Sequence, residues 1–182
     1  MIFRELSLAG LMLIEPTVFE DERGFFLERY NQRVFQSNGI VVDFVQDNHS
    51  QSAKHVLRGL HFQTSPFSQA KLVWATQGTV FDVAVDLRRD SETFGAWEGI
   101  TLSGTNRSML FIPRGFAHGF VVLSKKADFS YKVSSLYSPE HDCGLSWNDP
   151  DIGIEWPVEN PILSTKDGQL PSLQYLIDQD II

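Results

Sequence analysis

Cysteine is all but absent. The 182-residue chain has one, Cys143, so it cannot close an internal disulfide. Nothing in it calls for an oxidising compartment, and a cytoplasmic location is expected. Long apolar runs are missing as well: no stretch approaches the ~20 residues a helix needs to cross a bilayer, so no membrane partner is expected. Met1 to Glu15 holds a modest apolar stretch, but Arg4 is offset by Glu5 and no small-residue cleavage pattern follows. The segment reads as a strand. Positive charge is scarce, with 15 Lys and Arg against 23 Asp and Glu and a formal net charge of -8. A surface that tracks a nucleic-acid backbone needs clustered cations, so no nucleic-acid partner is expected, and an anionic ligand must be held by a few local cations. Low-complexity tracts, repeats and linkers are also lacking. With 42% apolar residues, including 14 Phe and 4 Trp, residues 1–182 are expected to form one folded domain.

What the chain does have is a succession of short extended runs, broken by turn signals every ~8 to 12 residues, which points to an all-β sandwich or barrel. Leu11 to Val18 is one such run, and the acidic turn Glu20-Asp21-Glu22 ends it. Arg23 to Tyr30 is the next, with aromatic and charged residues on both faces. That mixture hints that one side meets a ligand or another subunit. Asn31 to Ser37 suits two turns of helix ended by Gly39, Val41 to Asn48 is extended, and Leu173 to Gln179 suits a closing helix. Thr79 to Leu87 is the clearest core strand: Phe81, Val83, Val85 and Leu87 share one apolar face, while Val80, Asp82, Ala84 and Asp86 share the other. A carboxylate facing a barrel interior is costly unless paired, so Asp82 calls for a nearby histidine or lysine. From Ser138 onward alternation fades, and the chain reads as loops covering one end of the barrel.

The densest chemistry lies between Asp47 and Gln63, read as a polar loop entering a short strand that carries Arg58, Gly59 and His61. An arginine and a histidine so close suit an anionic or carbonyl substrate. Their spacing gives them opposite strand parity. Either the strand bulges at Gly59, which glycine permits, or the arginine reaches around an edge. Gln46 and Asn48 share a face and suit a nucleobase edge or sugar hydroxyls. Lys71 heads a strand, a place where lysines are commonly solvated. Tyr131, between Phe129 and Val133, is either a packing residue or an acid above a ligand.

Taken together, Arg23-Gly-Phe-Phe-x-Glu28, Gln46-Asp-Asn-x-Ser, Val56-Leu-Arg-Gly-Leu-His-Phe-Gln63, Lys71-Leu-Val, Gly78-x-Val-Phe-Asp-Val-Ala-Val-Asp-Leu-Arg88, Ile112-Pro-x-Gly-Phe-Ala-His-Gly-Phe120 and Ser164-x-Lys-Asp167 resemble the dTDP-4-dehydrorhamnose 3,5-epimerase family across nearly the whole chain. The resemblance implies a cupin-type β-sandwich or jelly-roll barrel with short flanking helices. It also implies a homodimer in which a strand of one subunit joins the other's sheet, and a reaction that needs no cofactor. The second cupin signature fits Pro113-x-Gly115-x-x-His118, but Phe62-Gln63 follow His61 where the first signature has its second histidine. Catalytic zinc generally takes three protein ligands, so no catalytic metal is expected.

By the same resemblance the substrate is a dTDP-4-dehydro-6-deoxy-sugar. His61 is the base, oriented by Asp167; Lys71 stabilises the enolate oxygen; Tyr131 returns the proton, with Tyr137 nearby. Arg23 and Arg58 hold the pyrophosphate. Phe25, Glu28, Gln46 and Asn48 serve the nucleotide, and Asp142 and Lys166 align with ligand-contacting positions, the former more often Glu in the family. Asp82 and His118 match pocket residues and are expected to pair. Three other readings stay open: a single-site epimerase of a related pathway, a non-catalytic sugar-nucleotide-binding cupin, and a metal-dependent oxygenase on the same scaffold.

Overall fold

The run around Val83 forms the strand about which two sheets are stacked. In the computed structural model, which describes residues 1–182, the strands are β1 (Ile2–Glu5), β2 (Met12–Glu15), β3 (Val18–Asp21), β4 (Gly24–Leu27), β5 (Gln46–Ala53), β6 (Leu57–Gln63), β7 (Lys71–Gln77), β8 (Thr79–Asp86), β9 (Trp97–Ser103), β10 (Met109–Ile112), β11 (Phe116–Val122), β12 (Lys126–Val133) and β13 (Asp142–Gly144). Two short helices accompany them, α1 (Gln32–Ser37) and α2 (Leu173–Asp178). One sheet runs β1-β2-β10-β7-β12-β5, the other β13-β6-β11-β8-β9, and β3-β4 is a separate hairpin. The ladders are antiparallel throughout. This is the all-β sandwich expected.

Between the sheets, Val73, Leu110 and Phe129 meet Val80, Ala84 and Phe120 in one buried cluster. The two outer faces are covered as well. Val83, Val85 and Leu87 pack with Ile152, Leu173 and Leu176 of the C-terminal segment. Part of the segment expected to cover one end therefore covers a sheet face instead, while Asp142, Ser164, Lys166 and Asp167 line a cavity; the apolar residues come singly from irregular backbone, which leaves no period to read. On the other sheet, Phe35 of α1 and Ile40 cover Leu72 and Trp74. Asn31 caps α1 by accepting from the N–H groups of Arg33 (3.2 Å) and Val34 (3.4 Å), a contribution of about 1 kcal/mol. Phe35, fully buried, adds edge contacts to Phe3 and Tyr30 at 5.3 and 4.9 Å between ring centres.

Two other expectations are corrected. The polar stretch after Asp47 is strand β5, not a loop, while 41–45 is irregular. The strand is hard to see in sequence because β5 is an edge strand whose inner residues line a polar cavity and whose outer residues meet water, so both faces are hydrophilic. Regular structure in Arg23 to Tyr30 shrinks to β4, which pairs only with β3 in a hairpin outside both sheets. With no sheet behind it, Phe26 is 69% exposed and Phe25 57%.

The parity conflict on β6 is settled by a bulge. His118 of β11 faces His61, yet Phe120, two residues on, faces Arg58, three residues back. The extra residue puts Arg58 and His61 on one face. Gly59 makes it feasible: its φ is +132°, and a Cβ there would lie 2.6 Å from Gly119 Cα and 2.9 Å from the His118 carbonyl oxygen. Left-handed strain and a backbone clash together lead us to expect Gly59→Ala to lower stability by roughly 3 kcal/mol in urea unfolding. A loss below about 0.5 kcal/mol would show that the sheet adapts without these contacts.

Candidate active site

The bulge opens β6 onto a cavity of about 490 Å³ at one end of the sandwich. Its walls come from β5 and β12 on one side, β6 and β11 on the other, and the loops that carry Tyr137 and Asp167. Lining it are His61, Lys71, Tyr131 and Asp167, together with Gln46, Asn48, Arg58, His118, Tyr137, Asp142 and Lys166. Residues separated by more than a hundred positions in the chain meet here.

His61, half-buried on β6, places Nε2 2.6 Å from Asp167 Oδ1. Asp167 heads a short 3-10 turn, and its own N–H donates to Ser164 Oγ at 3.0 Å. Burial pushes this carboxyl up, but the hydrogen bond and charge of His61, aided by Ser164 and Lys166, outweigh it and hold the group below its ordinary value. An ionised Asp167 accepts a hydrogen bond from Nε2–H, which leaves Nδ1 as the nitrogen free to take a proton.

Lys71 begins β7 and is buried, not solvated as a strand-heading lysine usually is. Its Nζ donates to the His61 carbonyl oxygen at 3.1 Å. Burial lowers its pKa to about 8, against the opposing pull of Asp82 and Asp142. The partner expected for Asp82 is His118, whose Nε2 lies 2.9 Å from Asp82 Oδ2 and 3.1 Å from Oδ1. Burial is the largest influence on both, raising the carboxyl and lowering the imidazole despite their mutual attraction.

Tyr131 lies on β12, in the sheet opposite His61. Burial raises its phenol and Asp142 reinforces this, while Arg58 opposes it, so the hydroxyl stays protonated and able to donate. Arg58 is steadied through Nε by Ser52 Oγ at 2.9 Å. Across the mouth, Tyr137 donates its hydroxyl to Asp142 Oδ2 at 2.9 Å, and Lys166 Nζ meets the same oxygen at 2.5 Å.

Three residues expected at the site are not brought to it within one chain. Arg23 is 85% exposed and paired with Asp21; Phe25 lies under the Arg107 guanidinium at 4.1 Å; Glu28 accepts from Asn31 at 3.2 Å. All three belong to the β3-β4 hairpin or the segment just after it. Conversely, Ser50, Gln63 and Gln69 line the cavity and were missed. Ser50 was detectable, since it continues the Gln46 and Asn48 alternation once β5 is known to be a strand. No group of three or more His, Cys, Asp or Glu side chains converges as a metal ligand set, and no helix is long and apolar enough to cross a membrane.

A cupin-type sandwich holding an oriented imidazole, a buried ammonium and a phenol on the facing sheet defines an isomerase of the proton-transfer kind. A family model described as dTDP-4-dehydrorhamnose 3,5-epimerase matches residues 5–175. The dTDP-4-dehydrorhamnose 3,5-epimerase of Escherichia coli is 53% identical over 178 residues, covering 97% of this chain and 96% of that protein. A crystal structure of dTDP-6-deoxy-D-glucose-3,5-epimerase from Legionella pneumophila, in complex with dTDP-4-keto-L-rhamnose, is similar with a TM-score of 0.94 and 46% identity, covering 100% of this chain and 96% of that one. A 3'-monoepimerase from Streptomyces bikiniensis, bound to dTDP-quinovose, gives 0.91 at 31% identity, covering 97% and 90%. The chain belongs to the dTDP-4-dehydrorhamnose 3,5-epimerase family.

Lys71 makes stability depend on pH in a definite direction. Its amine releases its proton near pH 8 when folded but near 10.5 when unfolded, so between those values the unfolded chain holds more protons. Stability relative to Lys71→Met should therefore rise from pH 8 to pH 10.5, by on the order of 2–3 kcal/mol. Urea unfolding of both proteins across this range checks it; a flat difference would mean that Lys71 keeps its ordinary pKa.

Proposed function

We propose that this protein converts dTDP-4-dehydro-6-deoxy-D-glucose to dTDP-4-dehydro-L-rhamnose by inverting C3 and C5, with no cofactor, as a single domain in the dTDP-L-rhamnose pathway. The observation that carries the mechanism is the placement of His61 and Tyr131 on opposite sheets facing one cavity. Inversion requires a proton to leave one face of the sugar and return to the other.

His61 Nδ1 takes the proton from the carbon next to the 4-ketone, and Asp167 stabilises the imidazolium that forms. The electron pair of the broken C–H bond moves onto the ketone oxygen as an enolate. The Lys71 ammonium offsets that charge, a contribution of about 3 to 4 kcal/mol by analogy with oxyanion-hole donors. Tyr131 protonates the carbon from the opposite face, and exchange with water restores both groups. The same set serves C3 and C5 because both carbons flank the one ketone. Asp82 and His118 lie beside Lys71 and complete the sugar-binding end, while Arg58 holds the pyrophosphate and Gln46, Asn48, Tyr137, Asp142 and Lys166 bind the rest of the substrate.

The protein acts in the cytoplasm as a homodimer, in which Arg23, Phe25 and Glu28 complete the cavity of a second copy. Supporting this are the unsupported β3-β4 hairpin, with its exposed Phe19, Phe25 and Phe26, and the unpaired edges of β1 and β5. A second reading is favoured by one finding: the Streptomyces bikiniensis neighbour with this fold is a 3'-monoepimerase.

Incubation with dTDP-4-dehydro-6-deoxy-D-glucose in deuterated water, followed by NMR, separates these readings. Deuterium should enter at both C3 and C5 with inversion; entry at C3 alone would establish the monoepimerase, and binding without exchange would remove the catalytic reading. His61→Ala should lose roughly 10²–10⁴-fold in exchange rate. Because the enolate needs a charged Lys71, the turnover rate should also fall as pH rises through about 8, opposite in direction to the stability term.

A further inference from the structure

Residues 135–138 carry the Tyr137 side of the cavity, yet they lie outside every helix and strand. Packing holds them weakly, since Leu136 is 61% exposed and Tyr137 56%. Of their backbone groups, only the Ser138 carbonyl has a main-chain partner, the N–H of His141 at 3.1 Å. Besides the Tyr137 hydroxyl's bond to Asp142 and the Ser138 hydroxyl's contact with His141 Nδ1 at 2.8 Å, the remaining bonds are made to the backbone by three glutamine side chains. Gln69 Nε2 donates to the Ser135 carbonyl at 2.8 Å. Gln63 Nε2 donates to the Leu136 carbonyl at 3.2 Å, and Gln63 Oε1 accepts from the Ser138 N–H at 2.8 Å. Gln46 Oε1 accepts from the Tyr137 N–H at 3.1 Å. Every residue of the segment thus has one backbone group bonded to a glutamine.

Gln63 is the centre of this arrangement. It is buried at the end of β6, two residues beyond His61, and its Nε2 also donates to the Phe67 carbonyl at 2.8 Å, so one carboxamide ties two loops together. Both peptide neighbours of Tyr137 are bonded to it. Only a carboxamide matches this set, because two carbonyls need donors and one N–H needs an acceptor. A carboxylate would turn an acceptor onto two carbonyls, and an apolar side chain would leave all three groups unmet.

We propose that Gln63, assisted by Gln69, is a positioning residue that sets the place of Tyr137 and thereby governs substrate affinity without taking part in proton transfer. This rests on the reading of Tyr137 as a substrate-binding residue. The reacting sugar belongs beside His61 and buried Lys71, which leaves the nucleotide for the mouth, where Tyr137 stands exposed. Gln63 consequently acts on the nucleotide end.

The test is a double-mutant cycle on the full-length protein, with Gln63→Met, Tyr137→Ala and the combination, measuring KM, kcat and the dissociation constant for dTDP. Gln63→Met should raise KM and the dTDP dissociation constant about tenfold and change kcat less than threefold. In the Tyr137→Ala background the same substitution should change both constants less than twofold. Equal fold-changes in the two backgrounds, or a fall in kcat with KM unchanged, would overturn the proposal. Gln63→Glu should behave like Gln63→Met; wild-type constants for it would overturn the proposal too. Should Gln63→Met not fold, Gln69→Ala enters the same cycle, since it frees only the Ser135 carbonyl. A wild-type protein that binds dTDP but exchanges no proton would remove the catalytic reading, and the dTDP cycle would still decide the role of Gln63.

Discussion

Backbone meets backbone where Gly59 of β6 passes Gly119 of β11, and the geometry of the site follows from that contact. No side chain fits there, so the two strands approach closely enough for β6 to carry its extra residue. The bulge turns Arg58 and His61 to one face, and it does so next to His118, which remains paired with His61 across the ladder. A regular strand would have sent either Arg58 or His61 into the outer layer. The sandwich supplies rigidity, and one irregularity in it aims the chemistry.

The cavity that results is expensive in desolvation, and most of its buried ionisable residues are arranged with a counterpart. Asp82 and His118 pair with each other; Lys71 is placed among Asp82, Asp142 and the His61 carbonyl; Asp167 is matched by His61 and Lys166. Removing one partner from a buried pair leaves the other uncompensated, which costs more than the pair contributes. Burial works in opposite directions on Lys71 and Tyr131. It makes the Lys71 ammonium readier to give up its proton, and it keeps the Tyr131 phenol protonated. The proposed mechanism uses the first as electrophile and the second as acid.

Support for the mouth of the cavity is of another kind. The interior groups are held by ladders and buried clusters, whereas Tyr137 is held by carboxamides reaching from β5, β6 and the loop before β7. Side-chain bonds to irregular backbone replace the ladder where no strand can run. His61, Lys71 and Tyr131 therefore stand on regular strands, while Tyr137 stands on individual hydrogen bonds.

Local pattern was enough to recognise the sandwich, because β8 and its neighbours alternate cleanly and turn residues punctuate them. It was also enough to recognise that Asp82 must have a buried partner, since an isolated carboxylate on an inner face is untenable. The blocks around Arg58, His61, Lys71, Asp82, His118 and Asp167 carried the family resemblance. Pattern failed where both faces of a strand are polar, as in β5, and where apolar residues come singly from irregular chain, as around Ile152. It could not decide between a bulge and a reaching arginine at Gly59, because parity is a property of the ladder and not of one strand. Nor could it place the β3-β4 hairpin away from the cavity of its own chain, or bring three glutamines from separate segments onto residues 135–138. Residue types and their periodicity determine which side chains are available; contacts between distant segments decide which of them share a face, a partner and a dielectric.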